Sequence, residues 1–73
     1  MMRRFELDDG VSSKFWEVGQ AGCELHIRFG RIGTAGQSKP KTFADEATAA
    51  AALGKLVREK TAKGYVEAGA GAG

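Results

Sequence analysis

The chain has 73 residues, 27% of them charged, a formal net charge of +2 and a single cysteine, Cys23. That length allows one domain with one small core, which leaves little room for a deep substrate pocket. A lone cysteine excludes an internal disulfide, so a reducing, cytoplasmic setting is expected. No run approaches the ~20 apolar residues of a membrane span, and no apolar segment follows Arg3 and Arg4 as a secretory signal would require.

Residues 4–8 alternate polar and apolar around Phe5 and Leu7, the pattern of a half-buried strand. Asp9-Gly10 closes that strand as a turn. Residues 13–18 read as a second strand, with Trp16 and Val18 on one face and Phe15 and Glu17 on the other. Gly19-Gln20-Ala21-Gly22 reads as a short turn, which makes strands two and three a hairpin. Residues 23–29 alternate without a break: Cys23, Leu25, Ile27 and Phe29 share one face, and Glu24, His26 and Arg28 the other.

Gly30, Gly33 and Gly36 punctuate the next connection. Their spacing matches neither the P-loop nor the dinucleotide fingerprint, so tight-turn geometry is expected for at least two of them. A fourth strand is expected within residues 37–43, with Pro40 confining it to an edge or interrupting it.

The period then changes. Residues 45–63 are rich in helix formers, and Ala49, Leu53, Leu56, Val57 and Lys60 fall on one stripe. Asp45 can cap this helix, with Thr42 as a rival cap one turn earlier. The alanine run from Ala49 to Ala52 lets the helix lie close to the sheet. Gly54, costly in mid-helix by ~1 kcal/mol, implies close packing there. Lys60 and Lys63 suit the helix C-terminus, and Gly64 suits the position just beyond it. Tyr65 and Val66 add a short closing strand or pack down. These elements define an α+β fold: a four- to five-stranded, mainly antiparallel sheet with one long helix packed on one face. Residues 1–67 form the domain, and residues 68–73 are an Ala/Gly tail expected to be disordered.

Charge is unevenly spread. Between Leu25 and Ala44 there is no acid, and Arg28, Arg31, Lys39 and Lys41 give this segment +4. All nine acids and the other seven of the eleven Lys and Arg residues lie outside it, so the remainder is −2. A local cationic stripe on a nearly neutral domain points to an anionic partner, with phosphate foremost.

The run Arg28-Phe29-Gly30-Arg31-Ile32-Gly33-Thr34-Ala35-Gly36-Gln37 resembles the signature of the WGR domain, named for Trp-Gly-Arg. The upstream strand with Lys14-Phe15-Trp16-Glu17, the helical Lys55-Leu56-Val57-Arg58-Glu59-Lys60 and the ending Lys63-Gly64-Tyr65-Val66-Glu67 extend the resemblance over residues 3–67. Phe29 stands where the family name calls for Trp, keeping an aromatic face and losing the indole N–H. In DNA-dependent poly(ADP-ribose) polymerases the family's module contacts DNA near a strand end and docks against neighbouring domains. In bacteria it occurs alone or at the start of longer proteins. No catalytic activity of its own is attributed to it. The resemblance implies that Phe29, Gly30 and Arg31 meet nucleic acid or an adjacent domain.

The candidate nucleic-acid-binding residues are therefore Arg28, Phe29, Gly30, Arg31, Lys39 and Lys41. Phe29 has two readings: strand alternation puts it in the core with Leu25 and Ile27, whereas the family pattern makes it a contact residue. The expected function is a non-catalytic nucleic-acid-binding module, with DNA favoured over RNA and little sequence specificity. The alternative is a protein-interaction or interdomain docking module. No enzyme is expected, because Ser12 and Ser13 have no evident base and the one histidine, His26, no partner. No cofactor, metal or membrane partner is expected either. His26 lacks a second ligand and reads as solvent-facing; Cys23 reads as a small core residue. The chain is expected to be a monomer.

Overall fold

β1 (Met2–Asp8), β2 (Ser13–Ala21) and β3 (Glu24–Arg31) form an antiparallel meander, and the computed structural model describes residues 2–68 of the chain. Three two-residue strands complete the sheet: β4 (Gln37–Ser38), β5 (Lys41–Thr42) and β6 (Val66–Glu67). β4 and β5 both pair with β3, and β6 pairs with β1 on the opposite side. The helix α1 (Glu46–Ala62) packs on β2 and β3. The α+β class and the antiparallel sheet are as expected from sequence, with six strands rather than four or five. Residues 69–73 of the anticipated tail lie outside the described residues.

Several boundaries differ from the sequence reading: β1 starts at Met2, and β3 runs from Glu24 through Gly30 to Arg31 and leaves Cys23 in the turn. β2 runs on through Gly19 and Gln20 to Ala21, so the hairpin turn is only Gly22-Cys23, where Gly22 has φ +63°. Gly19 pairs with His26 and Gln20 with Leu25, so the residues read as a turn are ladder. The fourth strand is split at Lys39-Pro40, and the chain resumes pairing as β5. Pro40 has no N–H to donate, and a break there is the expected consequence. Lys39 N–H nonetheless reaches the Ile27 carbonyl at 2.7 Å and Phe43 N–H the Cys23 carbonyl at 2.8 Å, so the β3 edge stays covered.

One face of the sheet packs on the helix. Phe5, Trp16, Val18, Leu25 and Ile27 are buried there beneath Ala49, which is fully buried. Burying each large side chain contributes about 1.5–3 kcal/mol. Phe29, Phe43, Leu53, Leu56, Val57 and Tyr65 pack around this core. The small Ala49 lets the helix approach, as its place on the apolar stripe predicted. Gly54 does not serve that purpose: a Cβ there would meet nothing within 4 Å. Val66 is 68% exposed and adds nothing to the core.

The helix ends are built from sequence. Asp45, not Thr42, is the N-cap: its Oδ1 accepts from Thr48 N–H at 2.7 Å. At the other end Gly64 N–H donates to Thr61 O and Tyr65 N–H to Lys60 O, both at 3.1 Å. This is a Schellman motif, with Gly64 at φ +105°. Its consequence is positional. It folds Tyr65 back beside Lys60.

Candidate nucleic-acid interface

The candidate residues separate onto two faces of β3. In the ladder Glu17 is opposite Arg28 and Trp16 opposite Phe29. Arg28 therefore projects away from the helix, and Phe29 projects toward the helix side with Trp16.

On the face away from the helix, Arg28 is engaged. Its Nε and Nη2 donate to Glu17 Oε1 at 3.0 and 2.9 Å, while Arg4 Nη1 donates to Glu17 Oε2 at 2.7 Å. Arg4 also pairs with Glu6 at 2.8 Å. The Arg4 and Arg28 guanidinium carbons lie 4.6 and 5.5 Å from the centroid of Phe15, which is buried under them. Arg28 thus belongs to a compensated charge cluster roofing Phe15, apart from the other candidate cations. His26 Nε2 lies 2.9 Å from Glu24 Oε1 on this same exposed side.

On the helix side, Phe29 is half-buried. One part packs against the core cluster, as alternation implied, and the rest lines two open clefts. The larger cleft, about 460 Å³, is bordered by Lys14, Gly30, Arg31, Lys60 and Tyr65. The smaller, about 190 Å³, has Lys39, Lys41, Leu56 and Lys60 at its walls. Trp16, Phe29 and Lys60 line both. The structure therefore brings together Phe29, Gly30, Arg31, Lys39 and Lys41, and leaves Arg28 outside.

It adds two cations that the acid-free segment did not contain, Lys14 and Lys60. Lys14 follows from alternation with Trp16 and Val18. Lys60 carried its own signal: it is the one charged residue on the apolar stripe of the helix. Its Nζ sits 5.5 Å from the centroids of both Trp16 and Tyr65. Burial, then repulsion from Lys63 and more weakly from Lys14, holds the Lys60 amine below its ordinary pKa, against an opposing pull from Glu59. Lys39 Nζ similarly rests 5.9 Å from the Phe29 centroid. Among the described residues, Lys14, Arg31, Lys39, Lys41 and Lys60 make no ion pair, whereas Arg3, Arg4 and Arg28 are all paired.

The glycines hold this geometry. Gly33 and Gly36 have φ +95° and +72°, as tight turns require. Gly30 serves differently: a Cβ on it would come within 2.7 Å of the Gly36 Cα, so the two backbones touch. No group of three or more His, Cys, Asp or Glu side chains is placed to hold a metal ion among the described residues. No helix among them is long and apolar enough to cross a membrane.

Comparison with known proteins agrees with this architecture. The chain is 54% identical over 66 residues to Protein YehF of Escherichia coli strain K12, covering 90% of this chain and 24% of that protein. It is 34% identical over 67 residues to YfeS of the same organism, an uncharacterized protein, covering 92% of this chain and 28% of that one. A crystal structure of a protein from Bacteroides fragilis superposes with a TM-score of 0.91 at 43% identity, over 93% of this chain and 19% of that chain. This chain therefore spans only 19% to 28% of the length of these relatives. The family model for the WGR domain matches residues 1–72, and the chain belongs to the WGR domain family.

Proposed function

We propose that this WGR domain binds nucleic acid, DNA in preference to RNA, by docking phosphates on the cationic rim around Phe29. The observation that carries this reading is the set Arg31, Lys39 and Lys41: exposed, free of ion pairs among the described residues, and gathered on one side of the sheet. Uncompensated cations around a half-buried aromatic ring favour a polyanion that also carries apolar faces. Phosphate contacts position without reading sequence, so little sequence preference is expected. The site offers cations and aromatic rings, which fits a binding module.

The test is a titration with short DNA at two salt concentrations. Three phosphate contacts give a slope of log K against log salt of about −3, with micromolar or weaker affinity at physiological salt. Arg31→Ala together with Lys41→Ala should flatten that slope by about two. Absence of binding at low salt, or binding indifferent to both substitutions, refutes the reading. A second reading, docking of the same face onto another domain, is favoured by one fact: the relatives are several times longer than this chain. Chemical-shift mapping of this chain mixed with the remainder of such a protein distinguishes the two.

A further inference from the structure

Cations stand on both sides of the ridge formed by the half-buried Phe29 ring, with Trp16 buried beside it. Lys14 and Arg31 flank it in the larger cleft, Lys39 and Lys41 in the smaller, and Lys60 reaches both. We propose that this ridge takes a single strand of nucleic acid, with one base on the exposed part of Phe29 and its two flanking phosphates in the two clefts. The inference rests on the nucleic-acid reading above and names which form of nucleic acid the site accepts.

Three features favour a single strand over a duplex. The order cation–aromatic–cation matches the order phosphate–base–phosphate of an unstacked strand. A duplex turns its phosphates outward and keeps its bases paired, so it would leave the Phe29 ring unused. Proteins that read duplex grooves insert a protruding helix or ribbon. Here the cations line recesses between the end of α1 and the sheet, and Lys60 turns inward over Trp16 and Tyr65. Finally, the free site already holds cations where a strand would lie. Lys39 rests over Phe29, and an arriving base would displace it toward the adjacent phosphate. That exchanges a cation–π contact for a charge-assisted hydrogen bond. The Lys60 amine, disfavoured by burial and by Lys63 and only partly offset by Glu59, would gain a further counter-charge there.

The experiment uses the whole 73-residue chain and three fluorescent probes. They are a linear single strand of about 12 nucleotides, a circular single strand of the same composition, and a blunt duplex. The circle has no ends, so equal affinity for the two single strands excludes end recognition. The duplex should bind at least about ten-fold more weakly than either. Phe29→Leu, which keeps bulk and removes stacking, should cost about five-fold or more on single strands and little on duplex. Lys60→Gln should weaken single-strand binding and reduce its salt slope by about one. Quenching of Trp16, the sole tryptophan, should accompany single-strand binding. Melting temperatures of both variants show that the fold persists. Duplex binding equal to or tighter than the circle overturns the single-strand inference and leaves the nucleic-acid reading standing. So does single-strand binding that Phe29→Leu and Lys60→Gln do not change. No binding to any probe removes both.

Discussion

Gly30 and Gly36 close on each other over the Phe15 ring. A Cβ on Gly30 would sit 2.7 Å from the Gly36 Cα, and one on Gly36 would sit 2.7 Å from the Phe15 Cζ. The loop that follows the Arg28–Arg31 motif is thereby pinned back on the sheet, with Arg31 at the hinge between strand and loop. Gly30→Ala should destabilise by about 1–3 kcal/mol, the usual cost of overpacking, because the obstacle is backbone and cannot swing aside. Gly33→Ala meets no atom within 4 Å and carries only the strain of its positive φ, about 1–2 kcal/mol. Urea denaturation measures both losses, and a DNA titration of the two variants should distinguish them by binding. Gly30→Ala should shift Arg31 and weaken the proposed nucleic-acid binding; Gly33→Ala should not.

Glu17 is the counter-ion of both arginines that cover Phe15, and its side chain is only 12% exposed. Glu17→Gln leaves Arg4 and Arg28 close together with no shared carboxylate. Charged hydrogen bonds of this kind contribute about 1.5–3 kcal/mol, so a loss in that range is expected in a denaturation curve. Arg28→Ala should also lower stability. Because Arg28 lies on the far side of the sheet from Phe29, it should change nucleic-acid affinity by less than about two-fold at physiological salt, where distant charges are screened. A ten-fold loss of affinity would return Arg28 to the interface.

Gly54 is a helix-interior glycine with no neighbour within 4 Å of its missing Cβ. Alanine there removes the entropic cost of glycine at no steric expense. Gly54→Ala should therefore stabilise by roughly 0.5–1 kcal/mol and raise the melting temperature without altering binding. A fall in stability would mean that the backbone at this turn is not helical in solution.

Much of this geometry was legible in the chain. Period-two alternation in β3 fixed which side chains share a face, because the strand is buried on its helix side at Leu25 and Ile27. Asp45, Gly64 and the stripe through Ala49 fixed the helix and its orientation. What alternation could not give was cross-strand partnership. The acid-free segment is acid-free only in sequence. Glu17 enters it across the ladder and neutralises Arg28, while Arg31 at the strand end has no such neighbour. Gly54 misled because helix propensity records the cost of glycine and not the reason for it. Lys60 was visible on the stripe, but its role depended on Tyr65, which reaches it only through the Schellman turn.

Three carboxylates are held below their ordinary pKa range by hydrogen bonds in the fold. Asp45 accepts from Thr48, Asp9 from the Ser12 and Val11 amides, and Glu67 from the Arg3 guanidinium. A carboxyl with a depressed folded pKa contributes stability above its unfolded pKa and loses it as pH falls through the folded one. The melting temperature should therefore hold near neutrality and decline through the acid range below the ordinary carboxylate values. Asp45→Asn retains a capping oxygen without a titrating group, so its decline should be shallower. An identical pH profile for the two proteins would remove Asp45 from this account.

Lys60 has the opposite sign. Its amine is charged in the folded state at a cost, because burial and the nearby Lys63 and Lys14 disfavour the proton. A base whose folded pKa lies below its unfolded one binds its proton more weakly when folded. Its cost is fully present below the folded pKa and is relieved as pH rises from that value to the ordinary lysine value. The native chain should thus gain stability on entering that alkaline window, and Lys60→Met should lose that gain. At neutral pH two effects oppose each other in the variant. The repulsion is removed, and so are the contacts over Trp16 and Tyr65, worth about 0.5–1 kcal/mol at such sites. The net change in stability should therefore stay within about 1 kcal/mol, while nucleic-acid affinity falls and its salt slope drops by about one. The proposed site, assembled from unpaired cations, is expected to separate the two properties in this way. Loss of stability and affinity together, with the alkaline gain intact, would show that Lys60 holds the fold rather than the ligand.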